Sequence, residues 1–285
     1  MSSLTTPVPL TAYGVWIGEN AATPAIARGL EEQGYGALWL GNANGEVLDG
    51  ARIALESTEA LAVASGIVNI WTSTAEATAA SYHRLEKSAP GRFLLGIGAG
   101  HREFNGDRAV KPYQGMNDYL DVLDREGVPA DRRVLAALGP RMLQLSAERA
   151  AGAHPYLVNP AYTASARSSL GARPLLAPEH KVALVTDRRE GLRLAREGLR
   201  VYLDAGMQNY LNNFRRLGFE DDDFVDGGSE RLLDAMVAQG SPEAVASEVR
   251  RHLDSGADHV TLHPLHEDDE IVDVMGRLAP ALGLG

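Results

Sequence analysis

The side chains of this chain that can do chemistry near neutral pH gather behind apolar runs. The stretch RFLLGIGAGH (residues 92–101) sets glycines at 96, 98 and 100 and ends on His101. Glycine lets a backbone come close to a ligand and offers N–H groups to an anionic oxygen. The imidazole of His101 titrates near neutrality, so it can donate to a bound oxygen or protonate a substrate. The spacing excludes a dinucleotide fingerprint, whose third glycine follows its second by three residues. A tight turn carrying a turn histidine accounts for the same letters. In LAALGPRMLQL (135–145), Gly139 precedes Pro140 at a helix start, which leaves free N–H groups and the positive end of a helix dipole for an anion. An economical turn is again the alternative.

Of the eight histidines, His101, His154 and His263 fall at or near the ends of apolar runs, while His83, His252 and His180 read as helix or loop residues. His154, in GAHPY, also suits a hydrogen-bonded core position. HVTLHPLHEDDE (259–270) places His259, His263 and His266 near acids, with the first two on one side of a strand. The spacing is not that of H-E-x-x-H, so a solvated loop and no metal are expected. Trp39 reads as core, whereas Trp16 and Trp71 stand where they could wall an apolar pocket beside a flat ring. No Gly-x-Ser-x-Gly elbow supports a serine hydrolase, and the absence of cysteine excludes thiolate nucleophiles, disulfides and Cys-ligated metals.

Positioning these groups requires a regular frame. Short apolar, β-branched or aromatic runs recur at 12–17, 36–40, 61–70, 92–98, 132–138, 152–158, 180–185 and 257–263. Helical patterns lie between them. Thr23 and Pro24 open one that Gly34 stops, and Ser241 and Pro242 open another, with Val245, Val249 and Leu253 every four residues, that Gly256 stops. Alternation of strand and helix, with strands apolar nearly throughout, predicts an α/β fold of parallel βαβ units. Eight such units predict a (β/α)8 TIM barrel in a single domain over 1–285, a doubly wound open sheet being the alternative. Residues 187–240 carry helical segments around the acidic turn FEDDDFVDGG and no convincing strand, which reads as an insertion between strands seven and eight over the barrel mouth.

The formal charge of −11, from 27 Lys and Arg against 38 Asp and Glu, repels phosphate backbones and anionic membranes, and the basic residues form no stripe. Neither nucleic acid nor a membrane is expected as a partner. MSSLTTPVPL lacks the features of a secretory leader and no run of eighteen apolar residues occurs, so a cytoplasmic location is the expectation.

GYGALWLGN, ASGIVNIWTSTAEATAASYHRLEKSAPGRFLLGIGAGH, LAALGPRMLQLSAERAAGAHPYL and SGADHVTLHPL together resemble the bacterial luciferase-like oxidoreductases, specifically the actinobacterial branch that uses the deazaflavin coenzyme F420. The resemblance covers most of the chain in order. It implies hydride transfer between F420 and a small organic substrate, and usually a homodimer. It further implies a bulge with a non-proline cis peptide behind the deazaflavin ring, matched at Val68–Asn69 within GIVN. The family's cofactor phosphate lies near loops matched by Gly98, Ala99, Gly100 and His101, then Gly139, Pro140, Arg141 and Met142, the same loops singled out above as anion sites. Relatives place an acid and a histidine after the second strand, where this chain reads Gly41, Asn42, Ala43 and Asn44; a family glutamate is replaced by His101. On this basis His101 is the expected proton donor, Asn42 the residue orienting the substrate, and Trp16, Trp71 and His154 the pocket. FMN is the alternative cofactor, in a luciferase-like monooxygenase. A flavin- or deazaflavin-binding protein without turnover is a further alternative.

Overall fold

A computed structural model describes residues 6–109 and 111–285. The stretch read for a leader begins in residues 1–5, outside the described residues. The eight apolar runs fold as strands, the run 61–70 as two, and β8 and β10 form outside them: β1 (Tyr13–Gly18), β2 (Ala37–Gly41), β3 (Ala62–Ser65), β4 (Val68–Asn69), β5 (Phe93–Gly98), β6 (Arg133–Leu135), β7 (Gly152–Ala153), β8 (Leu175–Leu176), β9 (Glu179–Ala183), β10 (Val237–Gln239) and β11 (Val260–Pro264). All pairings are parallel, in the order β10-β9-β11-β1-β2-β3-β5-β6-β7-β8, with β4 alongside β5. Parallel strands covered on both faces are apolar throughout, and every residue of β2, β3 and β5 is buried.

The sheet is curled. β8 and β9 are separated only by Ala177 and Pro178. The amides of Ala177 and Glu179 bond to Ala153 and Pro155, while the amide of Thr261 bonds to Pro178. One segment therefore carries hydrogen bonds toward β7 on one edge and β11 on the other. Helices cover the outside, started as their sequences dictate. Thr23 Oγ1 accepts the amide of Ile26 and Pro24 takes the first position of the helix Pro24–Glu32; Ser241 and Pro242 do the same for Pro242–Asp254. Both pack against the last helix, Ile271–Leu282.

Three expectations are corrected. The run 61–70 is interrupted: β3 ends at Ser65, pairing resumes at Val68, and the cis peptide lies between Gly66 and Ile67 instead of at Val68–Asn69. Val68 and Asn69 cannot form the bulge because they sit in register with Ile97 and Gly98. Residues 187–240 fold as the helices Arg188–Asp204, Gln208–Arg216 and Glu230–Met236, but they also contain β10, which pairs with β9. The letters AMVAQ carry no turn residue to separate that strand from the helix before it. His180, read as helix or loop, lies in β9 and is fully buried. It opens the apolar run 180–185, and β9 begins one residue earlier, so His180 is inside the strand; its charged neighbours Glu179 and Lys181 are buried too.

Four apolar clusters form among the described residues, two of which frame the site. The larger lies among the strands and outer helices, and the smaller joins the helices of residues 188–236 through Leu199, Leu203, Tyr210, Phe214, Leu232 and Met236. Among the described residues no helix is long and apolar enough to cross a membrane.

Candidate functional site

A cavity of about 970 Å³ opens where the strands end, large enough for a cofactor-sized ligand. Trp16 lines it from within β1 and Asn42 from just after β2, with Gly66, Ile67 and Asn69 from the interrupted strand. Ala99, Gly100 and His101 follow β5, Ala136 to Gly139 and Met142 follow β6, and His154 and Tyr156 follow β7. The opposite wall is Tyr202, Met207 to Tyr210, Asn212 and Arg216, from the helical segment.

The alternating glycines prove to do different work. A Cβ on Gly96 would lie 1.8 Å from the Ser65 carbonyl oxygen, and one on Gly98 would lie 2.8 Å from the Ile67 side chain. These two glycines make room for the interruption after β3. Ser65 Oγ locks the contact by accepting the Gly96 amide at 2.8 Å and donating to the Gly96 carbonyl at 2.9 Å. Of the three, Gly100 lines the cavity, with φ +55° and its α-carbon against Asn69 and Asn105. Asn69 Nδ2 donates to Asn105 Oδ1 at 3.0 Å, tying the interruption to this loop.

His101 is half-buried, its ring 4.9 Å from that of Tyr210, and its buried Nδ1 has no hydrogen-bond partner among the described residues. Burial lowers its pKa below the usual histidine value, so at neutral pH the ring is uncharged and offers one donor and one acceptor. His154 is buried, donates from Nδ1 to the Ala177 carbonyl at 2.7 Å and stacks on Trp39 at 4.2 Å. Its Nε2 therefore keeps a lone pair, and it too is buried without a partner among the described residues. Burial lowers its pKa to about 4. Trp16 Nε1 donates to the Gly66 carbonyl at 2.9 Å, which holds the interruption at the cavity floor. Asn42 lines the cavity in the left-handed region, φ 55°.

Several expected residues stand behind the wall. Trp71 is outside the lining; its Nε1 donates to the Ala99 carbonyl at 2.7 Å and its ring fills the space over Gly115, so it braces the loop. Val68 is fully buried and Gly98 lies behind Ile67. Pro140 and Arg141 also lie off the lining, the Arg141 guanidinium covering the Tyr113 ring at 4.3 Å. Gly139 does line the cavity. It is the N-cap of the helix Pro140–Arg149 with no side-chain cap, and a Cβ there would meet nothing within 4 Å.

The histidines of the 259–266 stretch take separate partners. His259 accepts from Trp39 Nε1 at 3.0 Å and donates to the Thr11 carbonyl, while His266 Nε2 accepts the Leu184 amide at 3.1 Å. No group of three or more metal-ligating side chains occurs among the described residues.

Sequence reasoning missed a charged cluster beneath the tyrosines. Lys181 Nζ lies 3.0 Å from Glu179 Oε1, 2.9 Å from His263 Nδ1 and 2.8 Å from the Tyr156 hydroxyl. The Tyr156 hydroxyl in turn lies 2.8 Å from that of Tyr202. Glu179 is fully buried, yet the charge of Lys181, with the hydrogen bond from the Leu157 amide, outweighs burial and holds its pKa well below the carboxylate range. His263 is lowered to about 4 by burial and the neighbouring Lys181 charge. A signal existed: two opposite charges at i and i+2 inside an apolar strand point to the same side.

Residues 7–126 match the family model of the luciferase-like monooxygenases. That match spans β1 to β5 with the bulge and the glycine loop, and the solved structures extend the likeness over the rest. An F420-dependent secondary alcohol dehydrogenase, in complex with an F420-acetone adduct, superposes with a TM-score of 0.70 at 12% identity, covering 96% of this chain and 99% of that one. The coenzyme F420-dependent tetrahydromethanopterin reductase of Methanopyrus kandleri gives 0.69 at 16% identity, covering 96% and 99%. The oxygenating constituent of 3,6-diketocamphane monooxygenase from Pseudomonas putida, in complex with FMN, gives 0.63 at 14% identity, covering 98% and 99%. At these identities the likeness establishes the fold. No curated protein matches the sequence.

Proposed function

We propose that the chain is a luciferase-like oxidoreductase that binds F420 and transfers a hydride between it and a small organic substrate. The observation that carries this reading is one cavity joining the Gly66–Ile67 interruption, the Gly100–His101 loop and the uncapped helix start at Gly139. In this reading the curled sheet is a closed (β/α)8 barrel and the helices of 187–240 are an insertion that walls its mouth.

The residues suit such a cofactor. A flat ring finds a floor in Gly66 and Ile67 and an aromatic side in Trp16, and a phosphate finds the open amides around Gly139 and the Gly100 turn. The unpartnered Nδ1 of His101 supplies a hydrogen-bonding atom at the same loop. When bound, the deazaflavin supplies the hydride chemistry; the protein supplies binding, orientation and exclusion of water. Asn42, held out on a left-handed turn, orients the substrate.

FMN, in a monooxygenase, is the second reading, favoured by the FMN-bound Pseudomonas putida neighbour. Titration of the purified protein with F420 and with FMN, followed by fluorescence quenching, separates them. The proposal expects tighter binding of F420; tighter FMN binding overturns it. Cofactor binding with no redox change across enones, alcohols and imines would mark a binding protein instead.

A further inference from the structure

The buried Glu179–Lys181 pair stands where stability gives no reason for it. Ion pairs taken out of water cost desolvation, and well-packed apolar residues of similar volume commonly do as well. This pair lies on β9, next to His263 of β11 with which Lys181 is in register, at the base of the cavity's tyrosine wall.

The hydrogen-bond directions follow from donor count. An ammonium has three donors and no acceptor, and Lys181 has three partners at 2.8–3.0 Å: Tyr156 Oη, Glu179 Oε1 and His263 Nδ1. The Tyr156 oxygen therefore receives a proton from Lys181 and has its own to give. Tyr202 Oη, at 2.8 Å, takes it, against 3.2 Å to His263 Nδ1, whose lone pair already accepts from Lys181. The Tyr202 hydrogen is left without a protein acceptor among the described residues, and Tyr202 lines the cavity. The chain of donors points from the buried cation to the ligand space.

We propose that Tyr202 is the catalytic proton donor to a carbonyl-class substrate, and that Lys181 and Tyr156 are positioning residues that aim and resupply it. This rests on the oxidoreductase reading above. In the reducing direction the electron pair reaches the carbonyl carbon as hydride from the reduced deazaflavin. The C=O π bond breaks, the substrate oxygen takes the Tyr202 proton and a new O–H bond forms. Tyr202 recovers a proton from Tyr156, and Tyr156 recovers one from the Lys181 ammonium; solvent restores the amine when product leaves. Oxidation of an alcohol runs the same transfers backwards. His101, uncharged at neutral pH, is left with hydrogen bonding at the cofactor loop.

The test uses Tyr202→Phe, Lys181→Met, Lys181→Arg and His101→Ala, each checked for folding by circular dichroism and for F420 binding by quenching. The probes are cyclohexanone and 2-cyclohexen-1-one with reduced F420. Tyr202→Phe should lower kcat by about 10²-fold or more, with KM and cofactor affinity nearly unchanged and the solvent deuterium isotope effect altered. Lys181→Met should share the loss and Lys181→Arg should recover part of it. In the protein alone, NMR of tyrosines labelled at Cζ should show Lys181→Met moving the Tyr202 resonance as well as that of Tyr156. Retained kcat in Tyr202→Phe, loss confined to His101→Ala, or an NMR change that stops at Tyr156 overturns the proposal while F420 binding keeps the reading intact. If the wild-type protein does not bind F420, the reading falls and the proposal falls with it.

Discussion

The interior of this sheet is lined with imidazoles that the fold keeps uncharged, and acid should therefore unfold the protein early. His154, His259 and His263 are each lowered from 6.5 to about 4, chiefly by burial. His180 and His252, bonded to one another at 3.0 Å, are lowered as well. Because the folded values lie below the unfolded ones, the unfolded chain binds protons that the folded chain refuses. Stability is complete above pH 6.5 and drains as the pH falls toward 4. Each histidine contributes a slope of about 1.4 kcal/mol per pH unit inside that window, so the first three together give about 4. Over the window that is on the order of 10 kcal/mol, comparable with the whole stability of an ordinary domain. Urea unfolding followed by tryptophan fluorescence near pH 7, 6 and 5 should show the midpoint falling by on the order of 1 M per pH unit below 6.5. His259→Gln should flatten the dependence. Equal midpoints near pH 7 and near pH 5 would refute the reasoning and mean that protonated imidazoles find water or partners inside the fold.

Gly96→Ala should destabilise the protein by about 1–3 kcal/mol in a thermal melt, because its methyl lands 1.8 Å from the Ser65 carbonyl oxygen. Gly139→Ala should leave the melt nearly unchanged, since nothing lies within 4 Å of the new methyl, while weakening F420 in the quenching titration; unchanged affinity would remove Gly139 from the cofactor site. Trp16→Phe removes the donor to the Gly66 carbonyl and should cost about 1–3 kcal/mol in urea unfolding.

The frame was legible because its signals are local. Apolar runs bounded by Thr23–Pro24 or Ser241–Pro242 caps fix where a strand or helix lies without reference to the rest of the chain. The residues that shape the site depend on partners far away in sequence. Gly96 and Gly98 look like ligand glycines, and only the path of residues 65–67 shows that they accommodate neighbouring chain. Trp71 and Arg141 sit in the expected loops, but their side chains turn to Gly115 and Tyr113. The Glu179–Lys181 cluster was hidden for the opposite reason: charges at the start of an apolar run read as its solvated end until β11 supplies His263 beside them.

The helices of residues 188–236 share an apolar cluster with Leu157, Ala183 of β9 and Val237 of β10, distinct from the larger one among the strands, and the cavity runs beside it. Across its mouth Glu103 accepts the Gln208 amide at 3.1 Å, a hydrogen bond between segments 105 residues apart. The wall is rooted on the sheet at one end, and its far end, the helix Gln208–Arg216, is where it can open locally while the rest stays folded. A ligand held by both walls would then act as the missing fastener. Its signature would be slowed hydrogen exchange in the amides of the helix Gln208–Arg216, far more than in the buried strands β1 and β2.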